Sequence, residues 1–400
     1  MGGTRPENEL LLCCARTHMN SERAERVRAL LREDIDWAYM IRIALWHRVT
    51  PLLYRNLQTT CPDAVPKDTM DQLRSYFYGN ARRNLLLTEE LVKLLKLFEA
   101  HGIPAIPLKG PVLAASVYGN LGLREFSDLD ILVRRQNACR ARDLLISLGY
   151  RHCGPKFQLT DAQEAAYLQS QHHYKFVRDD RSVVVELHWR ITRKYFSLPL
   201  DYERLWEGLE PVSLAGRTVL NLSQEDLLLI LCVHGSMHRW SRLGWICDIS
   251  EMIHVSQGID WERVMKQARA LGSERILFLG LFLAKDLLHV PLPKEIVHQV
   301  EADPVMRKLA EQVRQRLFQG PDGAPGLLEL SLFNLKARER LQDRIRYLVR
   351  FVLTTTPEDW QLLPLPDLLF PLYYLLRPNR LMGKYGLALV RRIYHGNIAR

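Results

Sequence analysis

The sequence has no apolar run of the ~20 residues that a helix needs to cross a bilayer, which excludes a helical membrane-spanning protein. Its seven cysteines are odd in number and irregularly spaced. They form neither a disulfide framework nor a zinc pattern. His234 and His238 stand four apart, yet no Glu follows His234, so the H-E-x-x-H arrangement of zinc hydrolases is absent. No internal repeat and no recognised RNA-binding pattern occur. The opening M-G-G-T-R-P-E-N-E lacks the basic-then-apolar order of a signal peptide, and Pro6 does not suit the myristoylation spacing. A reducing, cytoplasmic setting is the expectation.

What is present is ordinary in bulk and uneven in charge. The chain has 400 residues, 47% hydrophobic and 25% charged, enough for two or three domains with their own cores. The formal charge of +10 favours anionic partners such as nucleotides, nucleic acid or an acidic membrane surface. From Lys336 to Arg400 twelve Lys/Arg stand against five Asp/Glu, so this tail carries +7 of that +10.

Residues 7 to about 100 read as helices, the last from about Asp68 to Ala100, ending at His101-Gly102 with Gly as the cap. Short apolar runs then predict strands at 103–108, 129–134, 149–153, 172–178 and 182–189, with a helix at 137–148. From Ser223 the pattern is helical again, with helices at 227–238, 244–256, 260–271 and 273–288. The Pro/Gly-dense stretch 319–326 reads as a linker. A basic helix at about 336–354 and an apolar, Pro-punctuated run from Leu362 to Pro378 follow. His172-His173 reads as a strand start rather than a metal site.

The chemistry concentrates between Ile103 and Val133. An apolar segment ends in the turn Lys109-Gly110-Pro111, and a second begins with Asp128 and Asp130. Residues two apart in a strand share a face, so these carboxylates stand side by side. Their mutual repulsion calls for a cation, and Mg²⁺ is the hard cation that carboxylates bind together with substrate phosphates. In Val183–Trp189 alternation places Glu186 and His188 on one face, with Val185, Leu187 and Trp189 on the other. Asp128, Asp130 and Glu186 form a set suited to Mg²⁺ and a triphosphate. Gly110 lets the backbone approach a phosphate, and the helix after it offers N–H groups. Lys109 can contact phosphates as a point charge. Arg124, four residues before Asp128, and His188 join these as candidate nucleotide-binding residues.

The order of strand, glycine turn, helix, D-x-D strand and later single-acid strand resembles the DNA polymerase β-like nucleotidyltransferases. More closely, L-K-G…Y-G-N…R-E-F-S-D-L-D-I-L-V…G-Y…V-V-E-L-H-W…H-G-S-M-H-R-W-S-R-L-G-W-I-C-D-I and the later L-L-P-L-P…Y-Y-L-L-R-P resemble a bacterial family of nucleotidyltransferases. The resemblance covers most of the chain. It implies transfer of a nucleoside monophosphate from an NTP, with ATP the expected donor, and release of pyrophosphate. Asp128 and Asp130 match the metal-binding acids. Glu186 matches the third acid, which also helps to deprotonate the acceptor, and Gly110 matches the glycine of the phosphate turn. The chain departs from the pattern in its Lys-Gly-Pro turn, in the seventeen residues between Gly110 and Asp128, and in Glu rather than Asp as third acid.

The expected fold is α+β, a nucleotidyltransferase-type mixed sheet with helices flanked by helical regions. Its divisions are a helical region 1–101, a nucleotidyltransferase core 102–221, a helical domain 222–318 and a basic helical tail 327–400. The acceptor is left open. Two other functions fit the same residues. The atypical turn suits a non-catalytic regulator that binds nucleotide or a partner protein. The basic, apolar tail suits peripheral membrane contact, as in an accessory of polysaccharide assembly.

Overall fold

The computed structural model describes residues 5–155, 157, 159–178, 183–256, 258–319 and 327–383. The expected linker lies, after Gln319, outside the described residues. The fold is α+β with a mixed five-stranded sheet. Its strands are β1 (Ala105–Pro107), β2 (Leu129–Val133), β3 (Arg151–His152), β4 (His173–Arg178) and β5 (Val183–His188), in the order β1-β2-β5-β4-β3. Each falls within a run predicted from the sequence. A separate hairpin, β6 (Glu210–Leu214) with β7 (Arg217–Asn221), was not foreseen. Its strands show little apolar alternation, since both bury only their last residue. No helix among the described residues is long and apolar enough to cross a membrane.

Two compact units divide the chain, each assembled from two stretches. The first joins Met1–Ile131 to Asp201–Arg338, and the second joins Leu132–Leu200 to Glu339–Arg400.

In the first unit the long helix Lys67–Ala100 buries Leu73, Leu87, Leu91, Leu94 and Phe98 along one stripe, the helical spacing of a core-facing side. Two amides on this helix, Asn80 and Asn84, hold the loop that precedes β2. Asn80 Nδ2 donates to the Gly122 carbonyl at 2.9 Å, and Asn84 Nδ2 donates to the carbonyls of Leu121 at 2.6 Å and Arg124 at 2.8 Å. The loop backbone is thereby satisfied by side chains rather than by a ladder.

The helix Gln224–Met237, capped by Ser223, buries Leu227 to Val233 without a break. It forms the centre of this unit, with helices Leu243–Val255 and Glu274–Leu288 packed on it. Glycine at 235 is a packing requirement. A Cβ there would lie 2.3 Å from the Trp240 ring, and one at Gly280 would lie 3.0 Å from the same ring. The fully buried indole fills both gaps. Arg239 and Trp240 take left-handed φ angles of 56° and 54°, a conformation that costs non-glycine residues of order 1–3 kcal/mol each. Burial of Trp240 offsets that strain and turns the chain into the helix Leu243–Val255.

In the second unit β4 pairs antiparallel with β3 and β5, with His173 opposite His188 and Lys175 opposite Glu186. Val183, Val185 and Leu187 are buried while Val184 and Glu186 are half-buried, the alternation expected of this strand. From Glu339 on, the described part of the basic tail belongs to this unit. Its helix Leu341–Leu353 is followed by Pro357–Leu362, where Asp359 is 4% exposed. That carboxylate meets Arg377 at 2.8 Å and Arg380 at 2.5 Å. Part of the tail's positive charge is therefore spent inside the fold.

Candidate active site

Lys109 ends the segment after β1, and the helix Gly110–Ser116 starts directly behind it. Gly110 has φ +55°, and a Cβ there would meet the Asp128 carbonyl at 3.5 Å. The turn therefore needs glycine for its backbone angle and runs against the residue that opens β2. The Leu108 N–H donates to the Asp130 carbonyl at 3.0 Å, which aligns the two segments. Across this join Lys109 Nζ lies 3.1 Å from Asp130 Oδ2, with side chains 15% and 8% exposed. Lys109 thus places a cation beside Asp130 within the chain itself. Asp128 is half-buried just before β2.

Arg124 pairs with Asp248. It makes two parallel bonds to Asp248, Nε to Oδ1 at 2.7 Å and Nη2 to Oδ2 at 2.8 Å, a fork that fits a carboxylate. Tyr118 donates its hydroxyl to the same Oδ1 at 2.7 Å. Burial would lower the Arg124 pKa, but Asp248 reverses this and raises it. Burial, then the Asp248 charge, pushes the Tyr118 pKa well up, so Tyr118 stays a neutral donor.

These groups open on one cavity within the first unit, whose lining includes Lys109, Gly110, Arg124 and Asp130 together with Arg48 and Arg242. His234 also lines it, and its Nδ1 accepts from Lys109 Nζ at 3.4 Å. Burial, followed by the Lys109 charge, lowers the His234 pKa well below the usual imidazole value. The ring is neutral at pH 7, as an acceptor from an ammonium must be. Burial and the Arg48 charge lower the pKa of Arg242, and burial raises that of Glu125.

Of the expected site residues, the first unit brings Lys109, Gly110, Arg124 and Asp130 to this cavity, with Asp128 at the mouth of β2. Glu186 and His188 stand on β5 in the second unit. There the Glu186 carboxylate is 3.6 Å from Lys175 Nζ and 3.7 Å from His188 Nε2. Sequence reasoning left out Arg48, Arg242 and Tyr118, and for His234 weighed a polar patch between helices against a place facing the nucleotide cleft. The run H-G-S-M-H-R-W-S-R-L-G-W-I-C-D-I carried the signal, because its turn at Arg239-Trp240 brings His234, Arg242 and Asp248 to one cavity.

A family described as uncharacterised nucleotidyltransferase matches residues 33–289. The chain belongs to that family. Membership makes nucleotidyl transfer its general function, and the matched span contains every residue named in the cavity. No curated protein matches. A crystal structure of an antigenic nucleotidyltransferase-like protein from Paracoccidioides brasiliensis is similar over 54% of this chain and 96% of its own. The identity is 16% and the TM-score 0.29.

His47 is wholly buried beside the same cavity, and its Nδ1 accepts the Leu243 N–H at 3.1 Å. Burial pushes its pKa down from 6.5 to about 4. Between those values the unfolded chain binds a proton that the folded one does not, so stability is complete above about pH 6.5 and falls as pH drops towards 4. His47→Asn keeps an acceptor near the Nδ1 position and removes the titration. Denaturant unfolding from pH 7 to pH 4 should show a shallower loss of stability in the variant; parallel curves would contradict this account of His47.

Proposed function

We propose that the protein transfers a nucleoside monophosphate from an NTP to an acceptor hydroxyl in a Mg²⁺-dependent reaction that releases pyrophosphate. The observation that carries this reading is the cavity where Lys109, Arg48 and Arg242 converge beside Asp130. A polyanion is the ligand such a wall suits, and carboxylates at its edge suit the metal that accompanies a triphosphate. Asp128 and Asp130 offer only hard oxygen donors, the set that fits Mg²⁺ rather than a softer ion. Bound there, Mg²⁺ would supply charge neutralisation and Lewis-acid polarisation of the phosphates.

The chain's own residues do the rest. Lys109 and Arg242 bind the phosphates, and Arg124, clamped by Asp248, keeps the loop before β2 in shape. The acceptor oxygen attacks the α-phosphorus and forms a new O–P bond. The bond from that phosphorus to the bridging oxygen breaks, and pyrophosphate leaves. The acceptor proton passes to Glu186, an assignment that rests on its place in β5 and on the superfamily pattern. ATP is the donor we favour. Incubation with each α-labelled NTP and Mg²⁺, followed by pyrophosphate release and mass spectrometry of labelled products, tests the reaction. Pyrophosphate formed with one NTP and abolished by EDTA is expected. Tight NTP binding without pyrophosphate, across a panel of sugar, protein and RNA acceptors, would favour the non-catalytic regulator.

A second reading concerns the tail. In the helix Leu341–Leu353, Leu341, Ile345, Leu348 and Val349 are exposed, one helical face of apolar side chains. Beside them lie Arg340 and Arg344. Contact with an anionic bilayer surface suits that combination. The double variant Leu341→Asp/Ile345→Asp should co-sediment with phosphatidylserine vesicles at least tenfold more weakly than the wild type. Equal sedimentation would rule this contact out.

A further inference from the structure

Beyond the transfer reaction, we propose that the second unit holds a site for a borderline divalent transition ion, Zn²⁺ foremost, ligated by His172, His173 and His188. One ring nitrogen from each of the three lies within 4.8 Å of the others. His172 Nε2 and His173 Nδ1 are 3.0 Å apart. The separation a tetrahedral ion imposes on its nitrogens follows from Zn–N bonds of about 2.0–2.1 Å, and small ring rotations would reach it.

The backbone explains the convergence. Adjacent residues in a strand point to opposite faces, so two neighbouring histidines would ordinarily diverge. His172 lies in a bend just before β4, while His173 is the first residue of the strand and faces His188 across the pair. The His172 carbonyl accepts the Trp189 N–H at 3.0 Å, which fastens the bend to the end of β5. All three rings then meet, with centroids 4.2 to 5.5 Å apart.

The surroundings suit a cation held by imidazole. His188 Nδ1 lies 3.3 Å from the Arg190 carbonyl. A carbonyl can only accept, so the proton sits on Nδ1 and Nε2 carries the lone pair, the tautomer set by an outer-shell carbonyl at metal sites. Glu186 Oε2 stands 3.7 Å from that Nε2 and 3.9 Å from His173 Nε2, a negative charge beside the nitrogen donors. His172 and His188 are 9% and 6% exposed, so their rings are held by packing. Three imidazoles select Zn²⁺, Co²⁺ or Ni²⁺ over Mg²⁺. The ion would tie the start of β4 to the end of β5. The site uses neither Asp128 nor Asp130, but it shares His188 with the candidate nucleotide-binding set and lies beside Glu186, the proposed proton acceptor, 3.7 Å from His188 Nε2.

The test titrates the chelator-treated full-length protein with Zn²⁺ and, separately, with Co²⁺ as a spectroscopic probe, without nucleotide. One equivalent of Zn²⁺ should bind and raise the melting temperature, and Co²⁺ should give the strong visible bands of a four-coordinate ion. His173→Ala should weaken Zn²⁺ binding at least on the order of 100-fold, the upper end for loss of even an outer-shell partner. Asp128→Asn should bind Zn²⁺ as the wild type does. Absence of the Co²⁺ bands in the wild type would overturn the proposal, as would undiminished Zn²⁺ binding in a folded His173→Ala. Loss of binding in Asp128→Asn but not in His173→Ala would move the ion to the aspartates and also overturn it.

Discussion

Asp130→Asn lowers the rate of nucleotidyl transfer by about 10²–10³-fold or more, the loss expected when one group placed to stabilise transition-state charge is removed. The amide keeps the shape of the side chain but not its charge. The Leu108–Asp130 backbone bond is untouched, so β2 keeps its alignment with the phosphate turn. What changes is the partner of Lys109, whose ammonium lies 3.1 Å from the carboxylate. A buried cation that loses its counter-charge also costs stability, so kcat is to be measured on protein shown to be folded by circular dichroism. Asp128→Asn should show a loss of the same order. A folded Asp130→Asn with kcat within tenfold of the wild type would remove Asp130 from the chemistry.

The second large effect is on stability. Asp248→Asn should cost about 3–5 kcal/mol, the usual result of breaking a buried ion pair by removing one member. Both side chains are well buried, at 12% for Arg124 and 4% for Asp248. The Arg124 fork would lose its only charged acceptor, keeping at most one neutral amide oxygen, for which the Tyr118 hydroxyl would compete. The expected fall in melting temperature is roughly 10 °C or more for a unit of this size. Arg124→Lys should also destabilise, because an ammonium cannot make two parallel bonds. Arg124→Met combined with Asp248→Leu should recover part of the loss, since no charge is then stranded. A melting temperature unchanged in Asp248→Asn would show that the pair does not hold the loop before β2.

These two residues mark the boundary of what the sequence discloses. Asp130 was legible, because a D-x-D pair opening an apolar run has a definite face and a definite electrostatic demand. The five strands of the mixed sheet were legible for the same reason, each being a short apolar run between turn residues, while β6 and β7, with little apolar alternation, were not. Asp248 carried no such mark. Its partner lies 124 residues away, and a charged residue in an apolar helix reads the same whether it faces solvent or a guanidinium. Asn80 and Asn84 were equally silent, since their task is to satisfy a loop backbone that no local pattern announces. The make-up of the units was hidden as well, because residues 201–338 group with residues 1–131 rather than with the segment between them. His234 shows the opposite case. Its spacing from His238 invited a metal reading that lacked ligands, and its contact with Lys109 depends on packing between helix and turn.

The most direct test of the central claim is calorimetric binding of a non-hydrolysable ATP analogue to the wild type and to Asp128→Asn/Asp130→Asn, each with and without Mg²⁺. The account predicts binding in the wild type that Mg²⁺ strengthens at least tenfold, and no Mg²⁺ effect in the double variant. Equal Mg²⁺ enhancement in both proteins, or no nucleotide binding in the wild type, would contradict it.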